Sequence, residues 1–167
     1  MQTYDVIVIG GGPGGTTAAR ILAQAGKKIA LIEDSHWGGT CLNAGCIPTK
    51  MLLGATAPQG LLHAQERVRI AKGSIQVDFT ALQNRVTRFT KGTSQTLAKS
   101  LAALGIDLFE GRGVCTGQNE GQTQVQVTTA QGPVSLAGTK IILACGTASA
   151  SFPGLVPDHQ NVLDSTD

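Results

Sequence analysis

Residues 4–34 read YDVIVIGGGPGGTTAARILAQAGKKIALIED, and three changes of texture along this stretch decide the fold. Tyr4 to Ile9 is a short β-branched run, the pattern of a buried strand. It ends in Gly10-Gly11-Gly12-Pro13-Gly14-Gly15, and an Ala-rich stretch of good helix formers follows from Thr16 to Ala25. Gly26 falls where a glycine commonly closes a helix, and Lys28 to Ile32 is apolar and strand-like again, closing on Glu33 and Asp34. Strand, glycine turn, helix and strand make one βαβ unit, for which a right-handed crossover and two parallel buried strands are the strong default. The predicted class is α/β, a doubly wound Rossmann-like domain with a parallel sheet.

Working outward, the glycine run is also a chemical signal. Gly10, Gly12 and Gly15 form G-x-G-x-x-G after a predicted strand and at a helix start, the context of a dinucleotide fingerprint. The first glycine permits the tight turn, the second lets backbone approach a pyrophosphate, and the third allows close helix–strand packing. The helix N-terminal amides and the positive dipole end then hold the anion. A glycine turn that merely joins strand to helix is the plain alternative. Glu33 weighs against it, because an acid ending the second strand can accept hydrogen bonds from ribose hydroxyls and would repel a 2′-phosphate. Asp34 is the weaker contender, and a solvated strand-end acid is the bland reading of either.

Cys41 and Cys46 stand in Gly38-Gly39-Thr40-Cys41-Leu42-Asn43-Ala44-Gly45-Cys46-Ile47-Pro48-Thr49-Lys50. Residues five apart on a regular helix are separated by a rise of roughly 7.5 Å, beyond the ~7 Å Cα limit for a disulfide. The pair can meet only if the chain before Cys46 is irregular, which Asn43 and Gly45 permit. A helix beginning near Pro48 would put Cys46 at an N-terminus, where the dipole favours a thiolate. Lys50, four residues on, shares that helix face and can stabilise a thiolate, or is simply a solvated lysine. Zinc is the rival for a cysteine pair, but Cys115 and Cys145 stand singly with no histidine at ligand spacing, so no metal site is expected. Both single cysteines are expected to be buried, inert thiols, and His36, His63 and His159 surface or structural histidines.

The remainder divides simply. Cys46 to about Ala71 suits a helix, with Pro58 expected to bend or end it. Phe79, Leu82, Val86, Phe89, Leu97, Leu101 and Leu104 recur at helical spacing with an interruption near Gly92, predicting a long amphipathic helix that packs on the core in preference to a dimer partner. After Gly105, short strands are predicted at Asp107 to Phe109, Val125 to Thr128, Val134 to Leu136 and Lys140 to Ala144, an inserted β-meander before a last parallel strand. The tail from Ser149, with Pro153-Gly154 and Pro157, reads as a linker.

Composition agrees. The chain has 167 residues, 41% of them apolar and 14% charged, with a net charge of +2, which excludes disorder, and its length suits one domain with a sizeable core. It holds 22 glycines against a usual ~7%; five lie in Gly10 to Gly15 and three more at Gly38, Gly39 and Gly45, so the excess marks sites rather than low complexity. Four cysteines are too few for a secreted disulfide scaffold, and the N-terminus has no basic leader, so a cytoplasmic location is expected. No apolar run approaches the roughly 18 to 20 residues of a membrane span, and Lys and Arg are scattered, so neither membrane nor nucleic acid is an expected partner.

The stretch GGTCLNAGCIPTK at residues 38–50, after an N-terminal G-x-G-x-x-G and Glu33, resembles the flavin disulfide reductases (class I pyridine nucleotide-disulfide oxidoreductases), and CLNxGCIPxK is most similar to dihydrolipoamide dehydrogenase. The resemblance implies an FAD-binding domain over residues 1–148 with a redox disulfide, residues 149–167 leading toward an NAD-binding domain, and two-electron transfer among a nicotinamide (NAD), FAD and the disulfide. It implies a small dithiol/disulfide substrate such as a lipoyl group, carried on a partner domain, and a homodimer in the full-length enzyme. By match to the motif, Cys41 is the interchange thiol and Cys46 the thiol beside the flavin, with Lys50 near its reactive edge. Gly10, Gly12, Pro13, Gly14, Gly15, Glu33, Asp34, Gly39 and Thr40 fall in the stretches that line the nucleotide. Gly113, in Gly111-Arg112-Gly113, matches the backbone that meets adenine, and Ala144 and Gly146 flank a position where the family has Thr or Ser and this chain has Cys145. The spacer from Glu33 to Gly38 is one residue shorter than in many dihydrolipoamide dehydrogenases and closer to glutathione and mercuric reductases, which leaves a sibling reductase, or a free-standing flavin-binding redox sensor, as alternatives. No second G-x-G-x-x-G occurs, and no histidine matches the family's His–Glu acid/base position, so the chain is expected to be one domain of a longer enzyme.

Overall fold

The computed structural model describes residues 1–150 and 152–166; Ser151 and Asp167, both in the expected linker, lie outside them. Strand β1 (Gln2–Ile9) leads through the glycine turn into helix α1 (Pro13–Gln24), and β2 (Ile29–Glu33) follows. Helices α2 (Gly39–Asn43), α3 (Cys46–Arg67) and α4 (Phe79–Ala102) come next, then strands β3 (Asp107–Asn119), β4 (Gln122–Thr129) and β5 (Gly132–Leu143). The βαβ unit is as read: β1 and β2 pair in parallel with Val6 opposite Ile29 and Ile9 opposite Ile32. Helix α1 closes at Ala25 and Gly26, the latter at φ +76°.

The parallel layer runs β3, β2, β1, β5, with Ile32 opposite Phe109 on one side and Ile9 opposite Leu143 on the other. Beyond this layer β3 and β5 continue and sandwich β4 antiparallel, Val127 facing both Gly113 and Val134, so the described strands close into a ring. The inserted meander is therefore present. Its strands are longer than expected: residues 107–119 form one strand and 132–143 another. Gly111, Gly113, Gly117 and Gly138 look like turn residues in sequence, yet hydrogen bonding to β2, β4 and β1 carries the chain straight through them.

Side-chain alternation places a hydrophobic cluster on each face of the parallel layer. Ile7, Ile9, Ala30 and Ile32 face the meander and pack with Val125, Val127 and Leu136. Val6, Val8, Ile29 and Leu31 face the helices and pack with Ala19, Leu101, Ile106 and Trp37. Each fully buried Val, Leu or Ile contributes about 1.5–3 kcal/mol by leaving water, so the two clusters fix the three layers of helices, parallel sheet and meander.

The long helices depart from expectation in two ways. Helix α3 runs unbroken through Pro58; both Pro58 and Gly54 are exposed, so the carbonyl left without its helical donor is open to water. Helix α4 is continuous past Gly92, and its Leu82 and Leu101 are buried as the stripe requires, but Phe79 and Phe89 are exposed, because only the C-terminal half of α4 reaches the sheet cluster. Asp78 caps α4, accepting from the Ala81 amide at 2.9 Å. No described helix is long and apolar enough to cross a membrane.

Near the start of β1 Tyr4 is buried, meets Phe109 edge-on at 6.3 Å, and donates its hydroxyl to Asp107 Oδ2 at 2.9 Å. Burial, then the Asp107 carboxylate, hold the hydroxyl's pKa well above its ordinary 10.0. A raised folded value means stability that is complete below about pH 10 and is lost as pH rises through the folded value. Tyr4→Phe is expected to cost about 1 kcal/mol at pH 7 and to flatten the fall in stability above pH 10, both measurable by urea unfolding across pH.

Candidate functional site

The glycine turn sits at the C-terminal ends of the parallel strands and is fastened to each neighbour. The Gly10 amide donates to Ile32 O at 2.8 Å, the Ala144 amide to Ile9 O at 2.7 Å, and the Gly38 amide to Gly11 O at 2.9 Å. A Cβ on Gly15 would stand 1.8 Å from the Gly10 carbonyl oxygen, and one on Gly10, at φ +111°, would stand 2.1 Å from the Ala144 carbonyl oxygen. Both motif glycines are thus demanded by close backbone approach. Gly12, by contrast, caps α1 with no side-chain hydrogen bond, the first turn of α1 carries no acid, and a Cβ on Gly14 would meet nothing within 4 Å. The result is an uncapped helix N-terminus with open glycine backbone in front of it, the setting in which main-chain amides receive a phosphate.

Glu33 closes one side of this turn. Its Oε2 accepts from the Gly11 amide at 2.6 Å and its Oε1 from the Ser35 amide at 2.8 Å. Each carboxylate oxygen keeps a free lone pair for a further donor. Asp34 is exposed beside it. On the other side Gly39 lies against Gly12, where a Cβ on Gly39 would be 2.8 Å from Gly12 Cα, and exposed Thr40 follows.

Thr40 leads directly to the cysteines. Cys41 lies in α2, Cys46 opens α3, and the irregular residues Ala44 and Gly45 break the helix between them, the distortion that the five-residue spacing requires. Asn43 Nδ2 donates to Gly39 O at 2.9 Å and to Trp37 O at 3.2 Å, pinning α2 to the segment before it. Both cysteines are free thiols here, Cys41 half-buried and Cys46 exposed. The Cys46 side chain, then desolvation, raise the Cys41 thiol above its ordinary 9.0, while the Cys46 amide and the Lys50 charge pull the other way. Lys50 is exposed on α3 and its field reaches the Cys41 sulfur.

The remaining expected positions are spread around this centre. Ala144 touches the turn at Gly10, and Gly146 follows beyond the end of β5 at φ +68°. Gly113 lies on β3, where a Cβ would be 3.1 Å from Ile32 Cδ1. Cys115 and Cys145 are exposed, not buried. Cys115 falls at the β3 bulge outside the core clusters, and Cys145 lies past the last β5 pair, its Sγ 3.6 Å from Ile9 O. Sequence reading missed Gly11, Trp37 and Glu110. Trp37 is buried, its Nε1 donates to Glu110 Oε1 at 3.2 Å, and a Cβ on Gly11 would stand 2.8 Å from the indole. The signals were a glycine at the variable motif position and the chain's single tryptophan just before Gly38. Among the described residues no His, Cys, Asp and Glu side chains gather in a group able to hold a metal ion.

A glycine turn at the strand ends of a three-layer α/β fold, with two cysteines at the head of the next helix pair, defines a Rossmann-like domain. The chain matches the pyridine nucleotide-disulphide oxidoreductase family over residues 4–166 and belongs to it. Relatives include the dihydrolipoyl dehydrogenase of Chlamydia muridarum, 34% identical over 99% of this chain and 35% of that protein. Dihydrolipoyl dehydrogenase 3 of Pseudomonas aeruginosa is 38% identical over 99% of this chain and 35% of its own length, and the mitochondrial dihydrolipoyl dehydrogenase of Rattus norvegicus is 35% identical over 97% and 32%. The chain thus spans about a third of the length of these relatives. LpdA from Mycobacterium tuberculosis shares the fold, with a TM-score of 0.81 at 20% identity over 98% of this chain and 36% of that one. The HOCl-induced flavoprotein disulfide reductase RclA from Escherichia coli superposes with a TM-score of 0.67 at 28% identity, over 93% of this chain and 32% of that one.

Proposed function

We propose that this chain is the FAD-binding, disulfide-bearing part of a dihydrolipoyl dehydrogenase-like oxidoreductase, with residues 1–148 as that domain and 149–167 leading on toward an NAD-binding domain. The observation that carries the reading is the placement of Cys41 in α2 and Cys46 at the head of α3, across the helix break at Ala44 and Gly45 and reached through Gly39 and Thr40 from the glycine turn. The turn fits a dinucleotide because the start of α1 has no side-chain cap and the open positions Gly12 and Gly14 carry no side chains. Gly10, Gly12, Pro13, Gly14 and Gly15 would receive the pyrophosphate, and Glu33, with Asp34 nearby, the ribose. Gly39, Thr40, Gly113, Ala144 and Gly146 would line the rest of the nucleotide. Bound FAD supplies an acceptor for two electrons, which it passes on to NAD.

The chain's own residues would handle the sulfur chemistry. A dithiol such as a reduced (dihydrolipoyl) group attacks Cys41 of the Cys41–Cys46 disulfide through one thiolate, and Cys46 leaves as a thiolate. The second substrate thiol then attacks the mixed disulfide and expels Cys41, so one S–S bond is broken, one is formed, and two protons are released or passed to the new thiolates. Lys50 offsets the negative charge on this pair. Cys46, at the helix start, is the thiolate held toward the flavin. In the whole enzyme a homodimer would act on a lipoyl group carried by a partner domain, in the cytoplasm. A sibling disulfide reductase is the second reading, favoured by the short spacer from Glu33 to Gly38 and the likeness to RclA.

The isolated chain is expected to bind one FAD, measured by flavin fluorescence titration, and to show no steady-state turnover with NADH and lipoamide. Failure to take up FAD overturns the reading, and sustained turnover overturns the assignment of the chain to only part of the catalytic machinery.

A further inference from the structure

We propose that Trp37 is the positioning residue that holds Glu33 for a nucleotide's ribose, acting through an indole-to-Glu110 anchor. The inference rests on the reading of Glu33 as the ribose acceptor and adds the side chains that fix it. Glu33 and Glu110 are register partners on β2 and β3, so two carboxylates leave the ends of adjacent parallel strands side by side. Like charges at paired positions repel, and each needs its own donors if both are to keep fixed orientations. Glu33 takes the Gly11 and Ser35 amides; Glu110 takes the Trp37 indole N–H. The indole therefore occupies Glu110 and leaves Glu33 turned to the glycine loop.

The packing around Gly11 completes the device. A Cβ there would stand 2.8 Å from Trp37 Cε3 and 3.0 Å from Glu33 Cβ and Oε2, so the indole and the Glu33 side chain close on Gly11 together. The main chain of the same segment is bolted at both ends, with the Gly38 amide on Gly11 O at 2.9 Å and Asn43 Nδ2 on Trp37 O at 3.2 Å. Trp37 is 6% exposed and sits in the helix-side cluster with Val6, Val8 and Leu31. The core thus dictates where the indole lies, the indole holds Glu110, and the gap left between them sets the Glu33 rotamer. Trp37 touches no reacting atom; its effect passes through Glu33.

The test uses the 167-residue chain and two probes, ADP and 2′,3′-dideoxy-ADP, which share base and pyrophosphate and differ only in the ribose hydroxyls. The ratio of their dissociation constants isolates the Glu33 contact from general loss of folding, because damage to the turn weakens both equally. The wild-type chain is expected to prefer ADP by about tenfold, the effect of one well-oriented hydrogen bond to a charge. Trp37→Phe and Glu110→Ala should bring the ratio toward one, and Glu110→Gln, which keeps an acceptor for the indole, should restore it. A wild-type ratio in Trp37→Phe beside a collapsed ratio in Glu33→Ala overturns the positioning role and leaves the ribose reading intact. A wild-type ratio in Glu33→Ala, or no preference in the unmodified chain, overturns the ribose reading itself. Equal weakening of both probes in Trp37→Phe with an unchanged ratio shows a purely structural tryptophan and also overturns the proposal.

Discussion

Gly15→Ala is expected to cost about 3 kcal/mol of folding stability and to abolish flavin uptake, whereas Gly14→Ala, one residue earlier, is expected to be neutral or stabilising. The two positions are both helical and both within the glycine run, so helix propensity alone would favour alanine at each, by up to about 1 kcal/mol. Space separates them. The new methyl at residue 15 would be 1.8 Å from the Gly10 carbonyl oxygen, while at residue 14 it would meet nothing within 4 Å. The obstructing atom is backbone, not the end of a flexible side chain, so relief requires α1 to move off β1. Moving it strips Ala19 from Val8 and Leu31 in the helix-side cluster and opens the turn. Gly10→Ala adds a left-handed φ of +111° to a 2.1 Å contact with Ala144 O, and should be at least as damaging. Against a total stability of roughly 5–15 kcal/mol, the loss should lower the melting temperature by roughly 10 °C, readable by calorimetry. Equal stability of the Gly15 and Gly14 variants would show that α1 does not press on the turn.

Mild oxidation supplies the second large effect. Treated with oxidised glutathione, which takes up two electrons and leaves as two glutathione thiols, the chain should fall from four titratable thiols to two and remain monomeric on a non-reducing gel. The four cysteines are all free in the structure, and Cys41 and Cys46 flank the helix break at Ala44 and Gly45. Exposed Cys115 and Cys145 lie apart, on the meander bulge and beyond β5. Closing the short loop should stabilise the fold by about 2 kcal/mol. Cys41→Ser and Cys46→Ser each remove that gain and should keep three titratable thiols through the same treatment. Loss of Cys115 and Cys145 thiols in place of the pair would contradict the site.

Much of this site was legible because its determinants are local. The β-branched run, the glycines and Glu33 fall in one βαβ unit, and the five-residue cysteine spacing by itself demanded a broken helix, which Ala44 and Gly45 provide. What escaped is what distant pairing decides. Strand β3 runs through Gly111, Gly113 and Gly117 because β2 and β4 offer partners that a local turn signal cannot reveal. Burial of single cysteines depends on whether a strand position faces the clusters or the outside, and both Cys115 and Cys145 fall outside. Trp37 and Glu110 are 73 positions apart and meet only because β3 returns beside β2. Pro58 misled for the opposite reason, since an exposed helix tolerates a lost hydrogen bond that water can replace.

Under the proposed function Cys46, not Cys41, is the sulfur held against the flavin. The direct measurement is the visible spectrum of the FAD-loaded chain reduced anaerobically by one equivalent of dithiol. A long-wavelength thiolate–flavin absorbance that persists in Cys41→Ser and vanishes in Cys46→Ser is the predicted result; a spectrum that neither substitution alters would contradict the account.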